Sequence, residues 1–157
     1  MADFGIAIGK TLSYEGALVD DKNDPGGLTN FGIALNSHPE LTADQIRSMT
    51  REQAIAIYQK SYWNPLYDQL NDQRLANSLF DFGVNAGQHA AVQALQGVVF
   101  LTGGSAIDGE FGPSTLAATN SKVIVAEYTV ERLRYYAGLN KPNYLHSWFA
   151  RTIDALL

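Results

Sequence analysis

The chain has 157 residues, 46% hydrophobic and 17% charged, which is enough apolar material for a packed core and too little charge for a disordered chain. Its formal net charge of −5 and its lack of a basic patch argue against a nucleic-acid partner. It contains no cysteine, which excludes disulfides, thiolate nucleophiles and cysteine-bound zinc.

The N-terminal segment carries apolar residues at steps of four, which predicts a helix over about 3–15. Asp3 is a suitable N-cap and Gly16 is a suitable residue to follow the helix. Glu15 is therefore expected in the last helical position. The segment has neither the basic flank nor the long apolar run of a signal peptide, and no stretch of the sequence reaches the roughly 20 apolar residues of a membrane span.

The next segment, residues 17–34, has no helical period. Its centre reads DDKNDPGGLTN, a run of residues that favour turns. Leu18 and Val19 on one side and residues 31–33 on the other are apolar enough to pair as short strands. The sequence therefore predicts a small β-hairpin within 17–34.

The rest of the chain predicts helices. Two capping boxes of the form Thr-x-x-Gln, at Thr42–Gln45 and Thr50–Gln53, each mark a helix start. Helical patterns follow over about 51–63, 73–86, 89–101, 113–119, 122–139 and 144–157. The total is six to eight helices and one small β element, in a single domain whose halves meet near residue 70.

Several kinds of catalytic site find no support in the sequence. His38, His89 and His146 are scattered, and neither a His-Glu-x-x-His nor a Gly-x-Ser-x-Gly motif occurs. A calcium loop starting at Asp21 would need a glutamate where Gly32 stands. We therefore expect neither a metal ion nor a cofactor.

Glu15 is the carboxylate best placed for catalysis. A helix C-terminus and apolar neighbours both favour the protonated form of a carboxyl group, as a general acid requires. Asp20, Asp21, Asp24 and Thr29 follow it and offer a second polar group that could hold a water molecule or stabilise positive charge on a sugar ring. The alternative is that Glu15 is a surface residue ending a helix.

The segment EGALVDDKNDPGGLTNFGIA, residues 15–34, resembles the signature of glycoside hydrolase family 108, the bacterial and phage N-acetylmuramidases. The matching positions are Glu15–Gly16, Asp21, Asp24–Gly27, Thr29 and Gly32–Ile33. The departures from the family pattern are Ala17, Asp20, Lys22 and Ala34. None of these departures removes the candidate acid.

The second half of the chain extends the resemblance. FDFGVNAGQHAAVQALQ and, further on, IDGEFGPSTLAA are similar to the predicted peptidoglycan-binding half of the same family. The resemblance implies a mainly α, lysozyme-like fold with a small β-hairpin near residues 17–34. It also implies one compact domain over 1–157, with a catalytic half over about 1–70 and a peptidoglycan-binding half over about 71–157.

The family resemblance implies hydrolysis of the β-1,4 bond between N-acetylmuramic acid and N-acetylglucosamine, with Glu15 as the catalytic acid. Asp24 and Thr29 resemble the Asp and Thr that follow the acid in a hairpin of phage lysozymes of another family, and Asn30 competes with Thr29 for that position. A carboxylate separation of about 6.5–9.5 Å would favour inversion and about 5–5.5 Å retention. The sequence leaves both choices open.

A glycan site also needs aromatic faces and amides. The candidates for substrate binding are Tyr14, Asn30, Phe31, Tyr62, Trp63, Asn85 and Tyr144. Asn85 is favoured by its place in the matched motif, whereas aromatic residues at helical spacing also occur in ordinary cores. Asp81 is expected to be structural.

The expected partner is the glycan strand of peptidoglycan, without nucleic-acid binding or membrane insertion. We expect a monomer that is made in the bacterial cytoplasm and acts on the cell wall in the periplasm. Such a protein is either a bacteriolytic, antimicrobial phage endolysin that depends on a holin or a bacterial muramidase that serves a secretion apparatus. Two other functions stay open: a non-catalytic peptidoglycan-binding module and a cell-wall peptidase.

Overall fold

A computed structural model describes residues 1–16, 18–19, 27–100 and 106–157 of the chain. The α-helices in this part of the chain are α1 (Phe4–Leu12), α2 (Ala43–Arg47), α3 (Arg51–Tyr62), α4 (Gln73–Ala86), α5 (Gln88–Val99), α6 (Pro113–Asn120), α7 (Val125–Gly138) and α8 (Pro142–Asp154). Two short strands are β1 (Thr29–Asn30) and β2 (Ile33–Ala34), and short 3₁₀ helices cover Leu35–Ser37 and Pro65–Gln69. The prediction of a mainly helical chain with a small hairpin is confirmed.

The described residues form two compact units. Unit 1 contains Met1–Lys10 and Tyr62–Leu157, and unit 2 contains Thr11–Ser61. Within the described ranges, no helix combines the length and the apolar character needed to cross a membrane.

Both predicted capping boxes are present in unit 2. The Gln45 backbone N–H donates to Thr42 Oγ1 at 3.2 Å, and the Thr42 N–H donates to Gln45 Oε1 at 2.7 Å. Thr50 and Gln53 repeat the pattern at 3.2 and 2.8 Å. These reciprocal bonds satisfy backbone donors that the first helical turn leaves unpaired, so they fix the starts of α2 and α3.

Helix α1 ends earlier than its sequence pattern predicts. Its last residue is Leu12, and the Tyr14 N–H then donates to the Thr11 carbonyl at 3.0 Å, which closes a tight turn. Glu15 lies in the bend beyond this turn. The expectation that Glu15 is the last helical residue is therefore wrong. The helix dipole is then a weaker reason to expect a catalytic acid at Glu15, because the effect of the dipole is confined to the last helical turn.

The hairpin is antiparallel, with Thr29 opposite Ala34 and Asn30 opposite Ile33. Its two-residue connection has Phe31 at φ +50° and Gly32 at φ +77°. Positive φ at both central positions is the requirement of a type I′ turn, whose twist matches that of the strands it joins.

The strand pairing differs in detail from the prediction. Val19 forms an isolated antiparallel bridge with Thr29, through backbone bonds of 2.8 and 2.9 Å in both directions. Val19 thus pairs with β1 itself, whereas the sequence suggested pairing with residues 31–33. Those residues form the turn and the start of β2.

Unit 1 is organised around α4, which packs against α5 and α7. Leu75, Leu79 and Phe82 are buried as predicted, and Gly87 ends the helix at φ +95°. The positive φ at Gly87 lets the chain leave α4 and begin α5 directly.

A buried ionic cluster lies in the same unit. The Asp81 carboxylate accepts a hydrogen bond from Arg151 Nε at 2.9 Å and another from Arg132 Nη2, and all three side chains are buried. Two guanidinium groups therefore share one carboxylate, which gives Asp81 a structural part in unit 1.

Candidate active site

The Glu15 side chain lies against the turn of the hairpin in unit 2. A Cβ atom built on Gly32 would stand 2.9 Å from Glu15 Cδ, closer still to Glu15 Oε2, and 2.5 Å from Tyr58 Oη. Every residue other than glycine would collide with both groups. Gly32 therefore serves two purposes, since it allows the left-handed backbone and leaves space for a half-buried carboxyl group.

Tyr58, in the middle of α3, is a member of this cluster that the sequence analysis did not identify. Its side chain is 2% exposed, and its hydroxyl donates to the Phe31 carbonyl at 3.0 Å. In the sequence, Tyr58 is one of several apolar residues on an amphipathic helix, so no local signal separates it from an ordinary core residue.

Thr29 lies in the same unit as Glu15 and is half-buried. Its Oγ1 donates to the Gly27 carbonyl at 3.3 Å, while its backbone pairs with Val19. Asp24, the other candidate for the second catalytic group, lies outside the described residues. The assignment of Asp24 and Thr29 to this role stays a prediction.

Asn30 has a structural contact that its neighbour Thr29 lacks. Its side chain is 6% exposed, and its Nδ2 donates to the Ile46 carbonyl at 3.0 Å. The bond ties β1 to α2 inside unit 2. A buried amide with such a partner holds the hairpin in place, and its role towards substrate stays a prediction.

Tyr14 and Phe31, two candidates for sugar contacts, are both half-buried residues of unit 2. Phe31 directly precedes Gly32, and Tyr14 directly precedes Glu15. Both aromatic side chains are therefore carried by the backbone segments that place the acid and the turn.

Trp63 belongs to the core of unit 1. Its side chain is 7% exposed and meets Phe4, Tyr67 and Phe80 edge-to-face, with ring centroids 5.3, 5.3 and 5.6 Å away. Its Nε1–H donates to Asp68 Oδ1 at 2.8 Å. This packing is that of a core aromatic residue, the alternative that the sequence left open for Trp63, and its role towards substrate stays a prediction.

Asn85 and Tyr144 belong to one aromatic column in unit 1. Asn85 Oδ1 accepts a hydrogen bond from the Tyr136 hydroxyl at 2.9 Å. The Tyr136 ring stacks on Trp148 at 4.9 Å and 20°, and Tyr144 stacks on Trp148 at 5.5 Å and 23°. Tyr144 remains 57% exposed, so its ring is available to a ligand. Tyr62, the last residue of α3, is half-buried.

The described candidates therefore divide between the units. Unit 2 holds Tyr14, Glu15, Thr29, Asn30 and Phe31, and unit 1 holds Tyr62, Trp63, Asn85 and Tyr144. Within the described residues, no three histidine, aspartate or glutamate side chains are grouped in a way that suits a metal ion.

Comparison with known proteins finds a family model that matches about half of the chain and a solved structure that matches almost all of it. The model of the family described as Glycosyl hydrolase 108 matches residues 8–87. The solved structure titled "Structure of Brucella abortus SagA" superposes with a TM-score of 0.80 at 31% sequence identity, over 98% of this chain and 91% of that chain. A search among curated protein sequences gave no match. These findings confirm the mainly α, lysozyme-like fold class.

Proposed function

The chain belongs to the glycosyl hydrolase 108 family, and from this premise we propose that it is a muramidase that cleaves the β-1,4 bond between N-acetylmuramic acid and N-acetylglucosamine. Family membership makes it a glycoside hydrolase, with peptidoglycan as its substrate class. The single observation that carries the finer proposal is the placement of the Glu15 carboxyl group against Gly32 in the hairpin turn.

Glu15 acts as the general acid. Glycosidic bond cleavage requires a proton on the leaving oxygen, and a carboxyl group held in one orientation delivers it with little loss of entropy in the transition state. The contact with Gly32 restricts where the Glu15 carboxyl group can lie. In a retaining reaction Glu15 regains its proton from the water that completes hydrolysis; in an inverting reaction the second carboxylate takes that proton, and Glu15 is reprotonated by exchange with solvent.

Asp24, assisted by Thr29, supplies the second group of the reaction. It either orients the attacking water or stabilises the oxocarbenium-like transition state, according to its distance from Glu15. The anomeric form of the first product, followed by NMR, distinguishes these courses. Inversion corresponds to a water that the second carboxylate activates on the opposite face of the sugar, and retention corresponds to a second carboxylate close enough to the sugar to stabilise the transition state and attack it directly.

The central test compares wild type, Glu15→Gln and the control Glu52→Gln on purified peptidoglycan. Glu52 is an exposed glutamate at the start of α3 in the same unit. Mass spectrometry should find new reducing muramic acid ends with wild type and Glu52→Gln, and none with Glu15→Gln. Full activity of folded Glu15→Gln would remove Glu15 as the acid. Free peptide amines would identify a peptidase, and binding without products would identify a binding module.

The proposal extends to where the enzyme acts, which is the cell wall, after holin-dependent release or export through a secretion apparatus. Expression in the cytoplasm of a Gram-negative host tests this. Cells should stay intact with the protein alone and lyse when a pore-forming holin or an added signal peptide gives it access to the wall. Lysis by the protein alone would contradict this part of the proposal.

A further inference from the structure

We infer that Tyr58 is a positioning residue for Glu15, because its buried hydroxyl holds the hairpin turn against which the Glu15 carboxyl group lies. The inference rests on the proposed function, since it takes Glu15 as the acid. Tyr58 acts through the turn and makes no contact with substrate in this role.

The first step is the bond between Tyr58 and the turn. The Tyr58 ring is buried within unit 2, and a buried hydroxyl is almost always paired. Its acceptor is the carbonyl of Phe31, the first central residue of the turn, at 3.0 Å. This bond fixes the orientation of the peptide plane that joins Phe31 to Gly32.

The second step is that this turn needs support. Phe31 adopts φ +50°, a left-handed conformation that bulky residues rarely occupy and that persists only when the surrounding structure holds it. A type I′ turn normally places Asn or Gly at this position. Because Phe31 has no such preference, the turn depends on contacts from outside the hairpin, and Tyr58 supplies one.

The third step connects the turn to the acid. Glu15 Oε2 and Tyr58 Oη both lie within 2.5 Å of the one point where a Gly32 side chain would begin. The two oxygens are therefore at most about 5 Å apart. A shift of the Phe31–Gly32 peptide would move the surface on which the carboxyl group lies.

The chain offers a matched control for the hydroxyl. Tyr128 in unit 1 is 0% exposed, and its hydroxyl also donates to a backbone carbonyl, that of Ala91, at 3.1 Å. Tyr128→Phe and Tyr58→Phe therefore remove the same kind of bond from equally buried sites. If the Tyr58 hydroxyl were purely structural, its removal would lower the thermal stability and leave kcat unchanged, as is expected for Tyr128.

The experiment measures kcat and KM of both variants on soluble peptidoglycan fragments, together with their thermal unfolding. Tyr58→Phe should lower kcat about tenfold or more, because a small misplacement of a catalytic group is costly, and KM should change less than twofold. Tyr128→Phe should lose comparable thermal stability with an unchanged kcat. A wild-type kcat for Tyr58→Phe, a loss confined to KM, or equal losses in both variants would overturn the inference.

A second pair of variants tests whether the hydroxyl acts through the turn, and serves equally if Tyr58→Phe folds poorly. Phe31→Asn creates the Asn-Gly sequence that forms type I′ turns by itself. In this background the further change Tyr58→Phe should lower kcat less than threefold. An undiminished effect would overturn the inference. Failure of the proposed function would look different, because wild type would then release no muramic acid ends or Glu15→Gln would be fully active.

Discussion

Gly32→Ala is the substitution whose outcome the structure defines best. An alanine at φ +77° costs about 1–2 kcal/mol in backbone conformation. Its Cβ would also stand 2.5 Å from Tyr58 Oη and press on Glu15, an overpacking that costs about 1–3 kcal/mol. We expect the free energy of unfolding to fall by about 2–5 kcal/mol, which lowers Tm by roughly 5–15 °C for a domain of this size.

Activity should fall further than stability alone would require. The nearest neighbour of the new methyl group is the Glu15 carboxyl group, and displacing a catalytic group by about 1 Å costs on the order of 100-fold in rate. The measurements are thermal unfolding and the release of reducing ends from peptidoglycan at a temperature well below the Tm of the variant.

Two other glycines separate the causes. Gly87→Ala introduces a side chain at φ +95° and ψ +141°, close to a region that essentially only glycine occupies, with nothing within 4 Å, so it should show only a conformational cost of about 1–3 kcal/mol. Gly9→Ala lies in α1 with equally open surroundings and should be neutral or slightly stabilising. Both should keep wild-type activity. If Gly32→Ala lost no more unfolding free energy than Gly87→Ala and kept wild-type activity, the contact between the turn and Glu15 would not contribute to catalysis.

Three further predictions concern stability. Asn30→Ala removes the buried donor to the Ile46 carbonyl and should cost about 1–3 kcal/mol in urea unfolding; an unchanged midpoint would show that the bond contributes nothing. Asp81→Asn leaves two buried guanidinium groups without their carboxylate and should cost about 3–5 kcal/mol, with a loss below 1 kcal/mol contradicting the assignment. The hydrogen bond from the Arg74 guanidinium lowers the pKa of Asp72 below its ordinary 3.8, so this ion pair stabilises the fold above about pH 4 and the gain is lost as the pH falls through the lowered pKa. Asp72→Asn keeps a good N-cap, so it should cost at most about 1 kcal/mol at pH 7 and nothing near pH 2; a cost independent of pH would refute the ionic explanation.

The sequence predicted those parts of the fold that depend on short stretches of chain. The two capping boxes, the end of α4 at Gly87 and the start of α6 at Pro113 are set by residues within one turn of the feature they define. The hairpin was predicted for the same reason, since turn-forming residues mark it directly. Its strand pairing was less accurate, because pairing depends on which segments meet after the turn has formed.

The parts that were missed depend on hydrogen bonds and packing that the apolar pattern of the sequence does not encode. The apolar period of α1 continues towards Glu15, but the bond from Tyr14 to Thr11 ends the helix at Leu12. Trp63 could not be separated from an exposed aromatic residue until its neighbours in the core were known. No sequence pattern near Tyr58 indicates its contact with the hairpin, because its hydrogen-bond partner lies 27 residues earlier in the chain.

Gly32 and Ile33 illustrate how a short motif can carry both kinds of information. Ile33 is 1% exposed and fixes the start of β2 in the core of unit 2, which is a folding requirement. Gly32 has no side chain to pack. The residue type at this position is limited instead by Glu15 and Tyr58, whose side chains stand where a Cβ atom would be. A glycine required by a turn alone would tolerate Asn or Asp, whereas one that also leaves space for a carboxyl group tolerates neither. Gly32→Asn therefore distinguishes the two requirements, since it should preserve the turn conformation and still abolish the activity that depends on Glu15.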